Sequence, residues 1–317
     1  LVLFGVLSNA YAPQVFEGKV VNQSDISAWQ GMAKQANDYN ATNPDDPTLW
    51  SDSMFGGMPT YAFAVKWKGD WTQPLYKALF WGQRPPSYLI ISLIGAFLMF
   101  LAFGVGPWLS IAGAIAVTFC SYNMQIIQVG HNAKMVAIAF MPWVIASLIY
   151  GYRKNALLVS VFFALSMSFE IKANHPQISY YLAFIVFALI IGELVHAIRT
   201  KAFADFLKKS CLFLVGGLLG LAVNCNNLVP LYDYQGYTMR GGSELSSDES
   251  VKSGKGLKMD YATAWSYGIE ETPNLLIPNF NGGASTAELK KSSATYKVLK
   301  GRYQGADKLI KQMPVYW

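Results

Sequence analysis

The chain has 317 residues, of which 53% are hydrophobic and 14% charged. An ordinary soluble domain carries about 25% charged residues, so the composition excludes a plain water-soluble globule and makes the lipid bilayer the first partner. The net charge is +6, yet no basic run is interleaved with aromatics as in single-strand binders, which excludes nucleic acid.

In chain order, residues 1–13 (LVLFGVLSNAYAP) read as the tail of a membrane span. They lack an initiator Met and a basic n-region, unlike a signal peptide. Residues 14–84 form a long first loop with structure of its own. There Ile26, Trp29, Ala33 and Ala36 recur at helical spacing, predicting a short amphipathic helix on the membrane surface. Asn22 followed three residues later by Asp25 resembles an N-cap pair, and NPDDPTLW turns the chain out of the helix. The stretch WSDSMFGGMPTYAF (50–63) suits a close-packed loop covering a cavity.

Beyond Arg84 the charges thin out. None occurs between Arg84 and Lys134, Lys134 and Arg153, Lys154 and Glu170, Lys172 and Glu193, or Lys209 and Asp233. A spanning helix needs about 20 mostly apolar residues. The first gap holds two spans, divided near Gly104–Pro107, and the others hold one each. With the N-terminal tail, residues 1–230 make a bundle of about seven visible spans, an all-α polytopic membrane protein. Residues 231–317 form a further loop segment. The chain is expected to be a piece of a longer protein, cut at both ends.

Orientation follows from short-loop Lys and Arg. Arg153 and Lys154, and then Arg199, Lys201, Lys208 and Lys209, put their loops in the cytoplasm. The 14–84 loop, the GHNAK turn at 130–134, the EIKANHPQ turn beginning at Glu170 and everything after about 231 then face outward. Cys120, Cys211 and Cys225 give neither a disulfide framework nor metal spacing.

Taken singly, the polar residues of the outer face have plain roles. Asp25 would cap a helix, Lys134 would snorkel, Glu170 and Lys172 would pair with each other, and Arg240 would be an ordinary loop residue. Together they converge. Asp25, His131, Lys134, Glu170, Lys172, His175, Arg240 and the Glu270–Glu271 pair belong to outer connections of one bundle, and ionisable groups at membrane depth tend to mark function. Cations near a carboxylate suit a phosphate-bearing substrate and a general base. A zinc site and a Ser-His-Asp hydrolase have no support in the spacing.

The combination GKVVNQSDISAWQGMAKQ … LWSDSMFGGMP, GHNAK, HPQISYYL, YTMRGG and WSYGIEETPNLLIPNFNGG resembles the YfhO family of bacterial membrane proteins over the length of the chain. The resemblance implies a GT-C-like transmembrane bundle: a glycosyltransferase drawing on a polyprenyl-phosphate sugar at the outer side of the cytoplasmic membrane. It implies Asp25 as the catalytic base of the first outer loop. Lys134 and Arg240 would meet the donor phosphate, with His131 and His175 nearby. A divalent cation is required by some members. Glu270 or Glu271, with Glu170, are candidates for acceptor or metal, although no DxD-type pair is present and Asp45–Asp46 sits between two prolines like a turn. The rival readings are a transporter or flippase of lipid-linked glycans, expected to show broken helices and an internal repeat, and a non-catalytic subunit of a membrane assembly.

Overall fold

The computed structural model describes residues 1–61, 63, 70–81, 84–154, 156–238, 259–264, 266, 268–277, 280 and 290–310. Helices and one two-stranded antiparallel ladder make up the regular structure of the described chain. It divides into two compact units, residues 1–119 with 127–257, and residues 120–126 with 258–317.

Each expected span coincides with a helix or a broken pair of helices, but among the described residues only two of the seven, or four with the bent pairs, are long and apolar enough to cross a membrane. α1 is Val2–Ala10. The first loop carries α2 (Ser24–Met32), α3 (Lys34–Thr42), the strands β1 (Trp50–Ser51) and β2 (Met58–Pro59), and α4 (Gln73–Phe80). The apolar region follows as α5 (Pro86–Ala102), α6 (Pro107–Thr118), α7 (Ser121–Val129), α8 (Asn132–Arg153), α9 (Ala156–Lys172), α10 (Pro176–Arg199), α11 (Phe203–Ala222) and α12 (Cys225–Tyr234). Pro86, Pro107 and Pro176 open three of these helices, where the missing N–H costs nothing. By length and composition α8 and α10 can each cross a membrane. There are up to four crossings if the pairs Pro107–Thr118 with Ser121–Val129 and Phe203–Ala222 with Cys225–Tyr237 each count as one; the second pair bends by 74°. This is the helix inventory of a membrane protein, although α1, α5 and α9 are shorter than a straight crossing needs.

Side-chain hydrogen bonds to backbone carbonyls fix how the helix ends meet. The Trp143 indole donates to Ile91 O at 2.9 Å and the Arg153 guanidinium to Ala102 O at 2.7 Å, so α8 runs alongside α5 in the same direction. Lys209 Nζ donates to Tyr152 O, and Asn224 Nδ2 to Ser168 O. The end of α8 therefore meets the start of α11, and the end of α11 meets the end of α9. Val144, Leu148, Ile149, Phe163, Leu182 and Phe213 fill the middle. A methyl on Gly216 would fall 2.9 Å from Ser160 O and one on Gly220 3.0 Å from Ala164 O. The G-x-x-x-G spacing is what lets α9 and α11 approach so closely.

The first loop differs from its sequence reading in two ways. The expected single surface helix is broken at Ala33 into α2 and α3, because Ala33 and Ala36 are both buried and turn the chain inward. The 50–63 stretch holds the β1–β2 ladder, with Ser53 Oγ bonded to Met32 O, so it packs on the α2–α3 joint. Its two-residue strands are too short for a period-2 pattern to reveal.

In the second unit, Tyr296, Ala306 and Ile310 make a small core. Asp307 accepts from the Tyr296 hydroxyl at 3.0 Å and pairs with Lys291 at 2.7 Å.

Candidate functional site

The site is built where α2 meets the turn between α7 and α8. Gly130 sits at φ +107° and a methyl there would lie 3.0 Å from Gln23 Cβ, so glycine is required both by the backbone and by the contact. Gln23 and Asn132 exchange amide hydrogen bonds, each at 3.1 Å. Gln23 also donates to Ile127 O at 2.5 Å and Ser24 Oγ to Val129 O at 3.4 Å. These four contacts span more than a hundred residues of sequence and hold the start of the first-loop helix against the bundle.

On this scaffold Asp25 and His131 meet, His131 Nε2 lying 2.7 Å from Asp25 Oδ2. Both side chains remain partly exposed, the carboxylate by 47%, so a substrate hydroxyl can still reach it. The expected Asn22–Asp25 cap does not form. Gln23 is the N-cap residue, without a side-chain cap bond, and Asp25 lies in the first turn with its carboxylate turned to the histidine. An imidazole on a carboxylate orients it, and a carboxylate near a helix N-terminus is favoured as the anion.

His175 begins α10 close enough to feel the same group of charges. Burial pushes its pKa down, Lys134 adds to the effect and His131 adds less. Its Nδ1 is buried with no hydrogen-bond partner among the described residues. Asp25, His131, Lys134 and His175 thus share one end of the bundle.

Of the other expected members, Glu170 falls elsewhere. Glu170 is fully buried, with the Ser179 hydroxyl 3.0 and 2.9 Å from its two oxygens, which leaves no surface for an acceptor or metal. Glu270 and Glu271 belong to the second unit, where Glu271 accepts from the Gly268 N–H at 2.7 Å within its own turn. Arg240 and the polar stretch 243–258 lie outside the described residues. No three His, Cys, Asp or Glu side chains among the described residues gather around a point that would hold a metal ion.

The sequence reading missed a second polar cluster. Lys172, expected to pair with Glu170, instead pairs with Asp70 and bonds Thr72 Oγ1 at 3.0 Å, with the Tyr76 ring 5.5 Å from its ammonium. Thr72 in turn donates to Asp70 Oδ1 from its backbone N–H at 3.1 Å and its hydroxyl at 2.7 Å. Burial opposes ionisation of Asp70, but the bonds from Lys172 and Thr72 outweigh it and hold the carboxyl below its usual value. The Tyr76 and Phe80 rings then seat α4 on Phe169 and Phe140. Nothing in the local sequence around Asp70 marks it, since its partner lies about a hundred residues away.

Two cavities adjoin these clusters. An apolar groove of about 610 Å³ runs between α9 and α11 from Leu157 and Leu212 to Trp71 and Thr72, ending beside the Asp70–Lys172 pair rather than beside Asp25. A smaller cavity of about 350 Å³ lies between α2 and the start of α5, lined by Lys19, Gln23, Ser27, Gln30, Arg84 and Asn132 among others. No family model, no curated protein and no solved structure matches this chain.

Proposed function

We propose that this protein is a polytopic membrane glycosyltransferase of the YfhO, GT-C kind. It would move a sugar from a polyprenyl-phosphate donor to an acceptor glycan, lipid or protein at the outer face of the bacterial cytoplasmic membrane. The observation that carries the reading is the Asp25–His131 pair, a half-exposed carboxylate oriented by an imidazole at the end of the bundle opposite the Arg153–Lys154 and Arg199–Lys201 connections. By the positive-inside rule those connections are cytoplasmic, which turns Asp25 outward.

In this reading the acceptor hydroxyl gives its proton to Asp25 while its oxygen attacks the anomeric carbon from the face opposite the phosphate. The bond from that carbon to the phosphate oxygen breaks, and the electron pair leaves with the polyprenyl phosphate. Lys134 and Arg240, with His175 and His131 nearby, offset the charge that develops there. The α9–α11 groove is apolar enough to bed a polyprenyl chain, with its polar end at the Asp70–Lys172 pair and not at Asp25.

The break after Thr118, whose hydroxyl lies 3.0 Å from Ser92 Oγ within the length of α5, favours the second reading, a carrier of lipid-linked glycans. One experiment separates the two. Full-length protein in proteoliposomes is given a polyprenyl-phosphate sugar, and release of polyprenyl phosphate is followed. A transferase consumes the donor and Asp25→Asn slows it by about 10²–10⁴, with no cap lost, since Gln23 is the N-cap residue. Undiminished turnover in Asp25→Asn, or movement of intact donor across the bilayer without its consumption, would sink the transferase reading.

A further inference from the structure

We propose that the cavity between α2 and the start of α5 binds a saccharide carrying one carboxylate. Resting on the transferase reading, this is the acceptor or the acceptor's terminal sugar. Gln23, Ser27 and Gln30 recur at i, i+4 and i+7 along α2 and so present one polar strip to the cavity. Asn132 closes the far wall, locked to Gln23 by the paired amide bonds. Fixed amides and a hydroxyl are the groups that recognise sugar hydroxyls, because each offers a donor and an acceptor at once.

The charge of the lining sets the rest. No carboxylate lines the cavity, and two cations do, Lys19 and Arg84. The Lys19 ammonium is paired with Glu17 at 2.5 Å, so the carboxylate beside it opposes a second anion there. Arg84 stands over the Tyr88 ring at 6.0 Å and has no ion-pair partner among the described residues. A guanidinium with no ion-pair partner among the described residues matches one monoanionic carboxylate, to which it bonds as a two-pronged fork. A phosphate monoester, close to a dianion at neutral pH, would ask for a second cation. The reacting pair does not line the cavity, but both of its residues adjoin the lining in sequence. Asp25 follows two residues after Gln23, and His131 directly precedes Asn132.

The test is calorimetric titration of the full-length protein in detergent with a disaccharide bearing a single terminal glucuronic acid, its methyl ester, glucose 6-phosphate and inorganic phosphate. The acid is expected to bind saturably and the ester at least about tenfold more weakly, the usual loss for a charge-assisted bond. Arg84→Gln should weaken the acid by the same factor. Because that change also removes the contact with Tyr88, Ser27→Phe serves as a second variant. It fills the cavity without altering a charge and should abolish binding. Equal binding of ester and acid overturns the carboxylate. Binding of glucose 6-phosphate or phosphate as tight as that of the acid reduces the cavity to a simple anion site. Binding unchanged in both variants, or no binding of the acid, overturns the location. Binding is read without turnover, so loss of the transferase reading in Asp25→Asn and loss of this site are separate results.

Discussion

α8 and α10 are similar in length and both are apolar enough to cross a membrane, yet the structure treats them oppositely. The most apolar window of α8 has mean hydropathy 1.7 and is 78% buried; that of α10 has 2.2 and is 11% buried. The greasier helix is the exposed one. In water this would be an anomaly, since an exposed apolar face is costly. In lipid it is not, because hydrocarbon is as apolar as Leu and gives no reason to hide such side chains. α10 accordingly displays Phe184, Phe187, Ile191, Val195 and Ile198. α8 is selected for fit instead, with Ala137, Ala139, Ala146, Ser147 and Gly151 letting its neighbours approach. Hydropathy finds the spans but ranks these two in the reverse order of their burial.

Matched substitutions on the two helices would break that contrast if it is wrong. Leu148 is wholly buried, so Leu148→Ala should cost about 2–5 kcal/mol, near the lower figure in a membrane where the lost packing outweighs any transfer term. Ile191→Ala on α10 should cost less than about 1 kcal/mol, because Ile191 is 43% exposed and leaves no cavity. Urea unfolding in detergent micelles checks both. Equal costs would show that α10 is covered as fully as α8.

Asp70 offers the next largest effect, on the buried side of the contrast. Breaking a fully buried pair costs about 3–5 kcal/mol. Asp70 keeps 23% of its side chain exposed, so Asp70→Asn should cost less, about 2 kcal/mol. The folded carboxyl titrates below its usual value, so its stabilisation is complete above the ordinary carboxylate range and is lost as pH falls below it. The gap between wild type and Asp70→Asn should therefore be constant from neutrality to mild acid and close below about pH 4. A gap that persists unchanged to pH 2 would contradict the ion pair.

Glycines give a smaller, cleaner pair. A methyl on Gly151 of α8 would come within 2.4 Å of Phe213, whereas one on Gly192 of α10 meets nothing within 4 Å. Gly151→Ala should destabilise by about 1–3 kcal/mol. Gly192→Ala should be neutral or stabilise by up to about 1 kcal/mol, since alanine suits a helix interior better. The same unfolding midpoints report both.

How much of this was legible in the sequence differs by element. Two of the seven expected spans were, or four counting the bent pairs; the charge gap Lys134–Arg153, for one, coincides with α8, which ends at Arg153. The association of Asp25 with His131 followed from topology alone, because a long first loop and a tight turn on one face must lie close. Their bonding was not legible, nor was the shift of the cap from Asn22 to Gln23, which depends on Gln23 being claimed by Asn132 and Ile127. The Glu170–Lys172 pairing failed for a helical reason. Residues two apart point to different faces, so Glu170 turned inward to Ser179 and Lys172 to Asp70. Asp70 itself carries no local pattern.

The smallest effect tests the one place where the contrast between the two helices should vanish. α10 starts at His175, and Lys134 lies in the first turn of α8, so at this end the exposed helix joins the buried one. Burial first, then Lys134 and His131, keep the His175 imidazole neutral in the folded protein at pH values where a free histidine is protonated. The unfolded chain therefore binds the extra proton as pH falls through about 6.5, and stability must fall with it. The slope cannot exceed about 1.4 kcal/mol per pH unit, the limit for one proton. His175→Gln removes the group that titrates, so stability of wild type minus that of the variant should be flat above pH 7 and decline between about 6.5 and 5. Lys134→Met should reduce the decline, because a neighbouring cation no longer opposes protonation. A difference that stays flat to pH 5 would mean that His175 is open to solvent, and would detach it from the Asp25–His131 site.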